Sequence, residues 1–141
     1  MTIDQISIFL ENKFGRLNEI LSILSKEDIR IIAASVADTS DYGILRLITN
    51  NQIKALQVLK ENGVSANRNA VLAISVNSTA GEMSQTIESF TKAGINIEYM
   101  YCFSTNKQAI LILRTNNLDA AHEVIRRYEM VNLSETELNK L

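Results

Sequence analysis

Residues 12–31 read NKFGRLNEILSILSKEDIRI, and residues 78–97 read STAGEMSQTIESFTKAGINI. Each stretch has a glycine in fourth place, an apolar stripe behind it and an Ile-x-Ile close. The offset between them is 66 residues, and it runs through the chain without a gap. It carries Ile8 to Ile74 ahead of the glycine, Leu17 to Met83, Leu21 to Ile87 and Leu24 to Phe90 behind it, then Leu45 to Leu111, Thr49 to Thr115 and Val58 to Val124. A register that keeps the glycine and a Thr-Asn pair along with the apolar positions marks an internal duplication. Such a repeat constrains the fold before any motif does.

Each copy then reads as the same series of elements. Residues 3–10 and 71–77 are β-branched and apolar with partial alternation, which predicts strands. Behind the glycine, Leu17, Ile20, Leu21 and Leu24 fall at i, i+3, i+4 and i+7, the stripe of an amphipathic helix, and Met83, Ile87 and Phe90 repeat that face. Residues 29–36 and 95–103 are extended apolar stretches. Turn-forming DTSDYG and STNK follow them, then ILRLIT and ILILRT, so each copy contains a hairpin. Second helices open after Asn50-Asn51 and Asn116-Asn117, at about 51–61 and 117–128, and short strands at 64–68 and 130–134 close the units. The order is βαββαβ twice. The predicted class is α+β: two tandem ferredoxin-like units, residues 1–69 and 70–141, with antiparallel sheets and helices on one face.

Bulk composition narrows the function classes. Of 141 residues, 46% are hydrophobic and 21% charged, and the longest apolar runs are strand-sized, so no membrane span is expected. The start, MTIDQISIFLE, does not resemble a secretory signal, and a cytoplasmic location is expected. One cysteine, Cys102, allows no internal disulfide and leaves no thiol set for a metal. A net charge of −2 with scattered basic residues argues against a nucleic-acid partner. The central strands also lack the aromatic-glycine-basic signature of RNA-binding modules with this topology. His122, the single histidine, flanks a buried helix stripe, and Cys102 reads as a small buried hydrophobe in a strand. Neither copy offers a catalytic constellation, so the chain is not expected to be an enzyme, and neither a metal nor a cofactor is expected.

Gly15 sits between the first strand and the first helix, where a residue without Cβ can adopt φ > 0 or let a ligand approach. The first N–H groups of that helix point into the same space and suit an anion. A phosphate loop would need more glycines and a lysine-serine ending, and a nucleophile elbow would need serine between glycines; both are missing. Pattern alone leaves two readings open, a ligand loop and a plain turn.

The loop NKFGRL, the helix ending in EDIRI and the segment SVADTSDYGILRLIT together resemble the ACT domain, a small ligand-binding module of amino-acid metabolism, in its tandem stand-alone form. The resemblance covers nearly the whole chain. That family usually shows an acidic residue, any residue, proline and glycine, then leucine. Here the places are held by Asn12, Lys13, Phe14, Gly15, Arg16 and Leu17, and by Ser78, Thr79, Ala80, Gly81, Glu82 and Met83; the glycine is kept, while the acid and proline are not. The resemblance implies a non-catalytic regulatory sensor that binds a free amino acid at an interface between ACT units and acts on a regulated enzyme or other protein; a homodimer is expected separately, because an unpaired sheet edge and the aromatic residues at 99, 101 and 103 leave apolar surface to cover. An interaction module with a decayed ligand site is the alternative. Carried over by position, the ligand residues are Asn12 to Leu17 with Ala34, Ser35, Val36, Ala37, Asp38 and Thr39, and in the second copy Ser78, Thr79, Ala80, Gly81 and Met83 with Tyr101. Arg16 could take the carboxylate and Asp38 the ammonium. The second copy has Glu82 and Ser104 at these two places. Its second strand carries Tyr99, Tyr101 and Phe103 where the first has Ala33, Ser35 and Ala37, a set that suits either packing or a ligand wall.

Overall fold

The computed structural model describes residues 1–38 and 41–141. The order is β1 (Ile3–Glu11), α1 (Arg16–Lys26), β2 (Ile31–Asp38), β3 (Tyr42–Thr49), α2 (Gln52–Glu61), β4 (Ala66–Asn77), α3 (Glu82–Lys92), β5 (Ile97–Thr105), β6 (Gln108–Thr115), α4 (Leu118–Arg127), β7 (Val131–Asn132) and α5 (Glu135–Asn139). Two compact units result, Asp4–Asn69 and Ala70–Leu141, the latter together with Met1–Ile3. The first three residues go with the second unit because the Met1 amino group lies 2.6 Å from His122 Nε2 and the Asn132 side chain donates to the Met1 carbonyl at 2.9 Å.

In the first unit β3 lies between β2 and β1, antiparallel to both, with Ala34 and Ile6 opposite Leu47 and Val36 and Ile8 opposite Leu45. On the other side of β1, the Phe9 N–H donates to the Ser65 carbonyl at 3.1 Å. Ile6, Ile8, Leu45 and Leu47 form one sheet face, on which α1 places Ile20 and Leu24 and α2 places Ala55, Val58 and Leu59. Complete burial of a large side chain of this kind contributes about 1.5–3 kcal/mol. The second unit repeats the plan. Leu72, Ile74, Leu111 and Leu113 receive Phe90 from α3 and Ala121, Val124 and Ile125 from α4. Both units are ferredoxin-like βαββαβ units, as the periodicity predicts.

Several details depart from expectation. The strands predicted at 64–68 and 71–77 are one continuous strand, β4, since no glycine or proline interrupts residues 66–77. Leu21 and Ile87 are half-buried, and the core-facing positions one residue earlier are Ile20 and Thr86, whose hydroxyl donates to the Glu82 carbonyl at 2.9 Å. Cys102 is exposed, not buried. It lies on β5, an end strand that pairs with β6, and among the described residues no strand covers its other side. The polar C-terminal stretch forms α5, held by a reciprocal capping box between Ser134 and Glu137 and by burial of Leu138.

Candidate functional site

Gly15 is the N-cap of α1 with φ 81°, a left-handed conformation, and no side chain caps this helix. The helices α2 and α4 differ. There Asn51 and Asn117 accept from the N–H groups of Lys54 and Ala120. A Cβ placed on Gly15 would meet nothing within 4 Å, so backbone conformation and not crowding requires glycine here. The loop closes on itself, with Lys13 N–H donating to the Glu11 carbonyl (2.8 Å), Arg16 N–H to the Lys13 carbonyl (3.1 Å) and Glu19 N–H to the Gly15 carbonyl (3.0 Å). Gly81 repeats the arrangement with φ 91°, and Glu82 and Gln85 donate as Arg16 and Glu19 do.

A cleft of about 240 Å³ opens beside the first loop. Asn12, Lys13 and Leu17 line it from the loop and α1, and Val36 and Asp38 line it from β2. The strand pleat selects the latter two. Val36 pairs with Leu45 and Asp38 with Gly43, on the helix-facing side, so Ser35 and Ala37 point to the opposite side. Ala34 shares the face of Val36 but is not part of the lining. Thr39 lies outside the described residues.

Three loop residues also stand outside the lining. Phe14 projects fully into solvent. Gly15 supplies the turn. Arg16, given the carboxylate role in the sequence reading, is turned into the protein surface. Its guanidinium reaches Glu19 at 3.3 Å and Glu11 at 4.0 Å, its side chain is 16% exposed and its Nε is buried without a partner among the described residues. Lys13 is the cation that lines the cleft, with its ammonium 3.9 Å from Glu11 and its side chain 75% exposed.

Leu10, Glu11, Tyr42 and Gly43 complete the lining, and sequence reasoning did not include them. Gly43 lies opposite both Leu10 and Asp38. A Cβ there would come within 3.1 Å of the Ala37 carbonyl, so glycine permits the close pairing that brings these strands together. The hairpin that sets Asp38 and Gly43 opposite one another was the available signal, through the pairing it implies.

In the second unit Ser78, Thr79, Ala80 and Gly81 are exposed and Met83 is half-buried. Tyr101 is on the other side of the sheet. It pairs with Ile112, whereas Cys102 pairs with the core residue Leu111. Tyr99, Tyr101 and Phe103 therefore share the face away from α3 and α4, half-buried. A separate cleft of about 380 Å³ lies between α3, β4 and the segment 128–131, and one of about 450 Å³ lies between α3 and α4. Among the described residues no cluster of three or more His, Cys, Asp or Glu side chains could hold a metal, and no helix is long and apolar enough to cross a membrane.

Comparison with known proteins gives the geometry a context. A family model described as an ACT domain pair matches residues 1–141. A protein of solved structure from Bacteroides thetaiotaomicron is 38% identical over 100% of this chain and 98% of its own, with a TM-score of 0.95. The regulatory subunits of aspartate kinase from Thermus thermophilus and Thermus flavus are similar in fold, with TM-scores of 0.63 and 0.61 at 13% and 18% identity. Each match covers 88% of this chain and 90% of the subunit. Comparison with curated protein sequences gave no match.

Proposed function

We propose, from the premise that this chain belongs to the ACT domain pair family, that it is a regulatory sensor which binds a free amino acid at the first-unit cleft and passes the binding on to a regulated protein. The observation that carries this reading is the meeting of Lys13 and Asp38, groups of opposite charge, in one cleft beside a helix N-terminus without a side-chain cap, with Glu11 3.9 Å from Lys13 in the same lining. A zwitterion needs both. Its carboxylate suits Lys13 and the first N–H groups of α1, and its ammonium suits Asp38. In the family arrangement implied by the resemblance, a neighbouring ACT unit completes the site, and a second copy of the chain is our choice for that role. The cleft-lining side chains offer binding groups without a nucleophile-base set, so no chemistry on the ligand is part of the reading. A cytoplasmic setting belongs to it as well, since a single cysteine suits a reducing compartment.

The second copy supports a division of labour, because Lys13 and Asp38 correspond to Thr79 and Ser104. Thermal-shift screening against the twenty amino acids identifies the ligand, and calorimetric titration then locates it. Asp38→Ala should weaken binding roughly tenfold to hundredfold, the worth of a lost charge-assisted hydrogen bond of about 1.5–3 kcal/mol. Ser104→Ala should cost little. Equal losses, or a larger loss at Ser104, would move the site to the second unit.

A second reading is an ACT-fold interaction module whose ligand site has decayed. Phe14, fully exposed at the loop tip, and the exposed stacked pair Phe9 and Tyr42 favour it, because apolar groups gathered at a surface suit a protein partner. Failure of all twenty amino acids to bind would select this reading.

A further inference from the structure

Resting on the amino-acid reading above, we infer that the first-unit cleft selects an aliphatic amino acid of the valine, leucine and isoleucine class. Lys13 and Asp38 suit the head group of a zwitterion; of the rest of the lining, Glu11 lies 3.9 Å from Lys13, Asn12 and Tyr42 carry polar groups, and Leu10, Leu17 and Val36 give the ligand side chain an apolar wall. Val36 is 51% exposed and Leu17 38%, so both present hydrocarbon to water until something covers it. A branched aliphatic side chain covers it without leaving a polar group stranded. A serine hydroxyl or a further charge pressed on those three side chains would lose water and gain no partner from them.

The duplication supplies an internal comparison. At the constant offset Leu10 becomes Val76, Leu17 becomes Met83 and Val36 becomes Cys102, so an apolar wall is kept even where Lys13 and Asp38 have become Thr79 and Ser104. The wall and the charged pair are thus separable features of the loop. The wall sets the class of side chain, and the charged pair sets which copy holds the ligand.

The test is calorimetric titration of the full chain with valine, isoleucine and leucine, and with alanine, serine, aspartate, lysine and phenylalanine. The aliphatic three should bind most tightly and alanine at least tenfold more weakly, since each methylene in an apolar pocket is worth roughly 10–200-fold. Val36→Ser provides the positional arm. Val36 is half in solvent on a strand that ends the strand order, so the change opens no core cavity and should leave the melting temperature unchanged. It should lower leucine affinity roughly tenfold or more and leave serine affinity where it was. Cys102→Ser, its counterpart, should alter neither. Tightest binding of a polar, charged or aromatic amino acid, an unchanged leucine-to-serine ratio in Val36→Ser, or a loss of leucine binding in Cys102→Ser would overturn the inference while leaving a regulatory sensor in place. Absence of binding by these eight while another of the twenty binds would overturn the inference alone, and absence of binding by all twenty would overturn both the inference and the reading on which it rests.

Discussion

At the scale of single residues, the duplication compares two side chains on nearly the same backbone. Gly15 and Gly81 both have positive φ and open space where a Cβ would go, so alanine is strained by conformation alone. Each Gly→Ala change should destabilise the protein by about 1–2 kcal/mol, the same at both sites within error, as chemical denaturation would measure. Gly63 and Glu129 occupy equivalent places at φ 73° and 52°, and at the second a residue with a Cβ bears the left-handed conformation. Glu129→Gly should therefore raise stability by up to about 1 kcal/mol. Thr49 and Thr115 form a third pair, both buried. Thr49 Oγ1 donates to Gln52 Oε1 at 2.7 Å, but position 118 carries leucine in place of that glutamine, and Thr115 Oγ1 is buried without a partner among the described residues. Thr49→Val should cost about 1–3 kcal/mol by stranding Gln52, while Thr115→Val should be neutral or stabilising in the same denaturation experiment.

Among the elements, helix ends fall into two kinds, capped by a side chain or opened by glycine. The helices α2, α4 and α5 begin on Asn51, Asn117 and Ser134, whose side chains each accept a backbone N–H, and α1 and α3 begin on glycines that accept none. The helix α5 depends most on its cap because it has only five residues. Ser134→Ala should cost about 1 kcal/mol, and Leu138→Ala, which empties a position 1% exposed, about 2–5 kcal/mol, both measurable as shifts in denaturation midpoint. The signal for α5 was in the sequence as Ser-x-x-Glu at 134–137; without an apolar period of its own behind it, the segment read as a polar tail.

In the molecule as a whole, β2 is an end strand in the first unit and β5 in the second, and among the described residues each pairs with a strand on one side only. Both carry exposed apolar groups, Val36 on β2 and Met100 on β5, and free strand edges of this kind invite pairing with another chain. Closed two-fold assembly is the commonest outcome for a soluble chain. Sedimentation at tens of micromolar should therefore give at least a dimer, and a monomer there would remove the second copy as the completing wall of the ligand site.

The sequence by itself determined the duplication, the positions of the two left-handed glycines and the element order apart from the joining of two strands into β4 and the C-terminal α5, because periodic burial and backbone sterics act locally and repeat at a fixed offset. The resemblance to the ACT domain added Asn12, Lys13, Leu17, Val36 and Asp38 as candidate ligand residues by position, and these five line one cleft. Tertiary structure alone decided which of the neighbouring candidates share a cleft. The strand pleat turned Ser35, Ala37 and Tyr101 to the opposite face, Glu11 and Glu19 drew Arg16 aside and left Lys13 as the cation at the cleft, and pairing through Gly43 brought in Leu10 and Tyr42. Each of these outcomes depends on what lies across a strand or a loop, and residue spacing along the chain does not encode that.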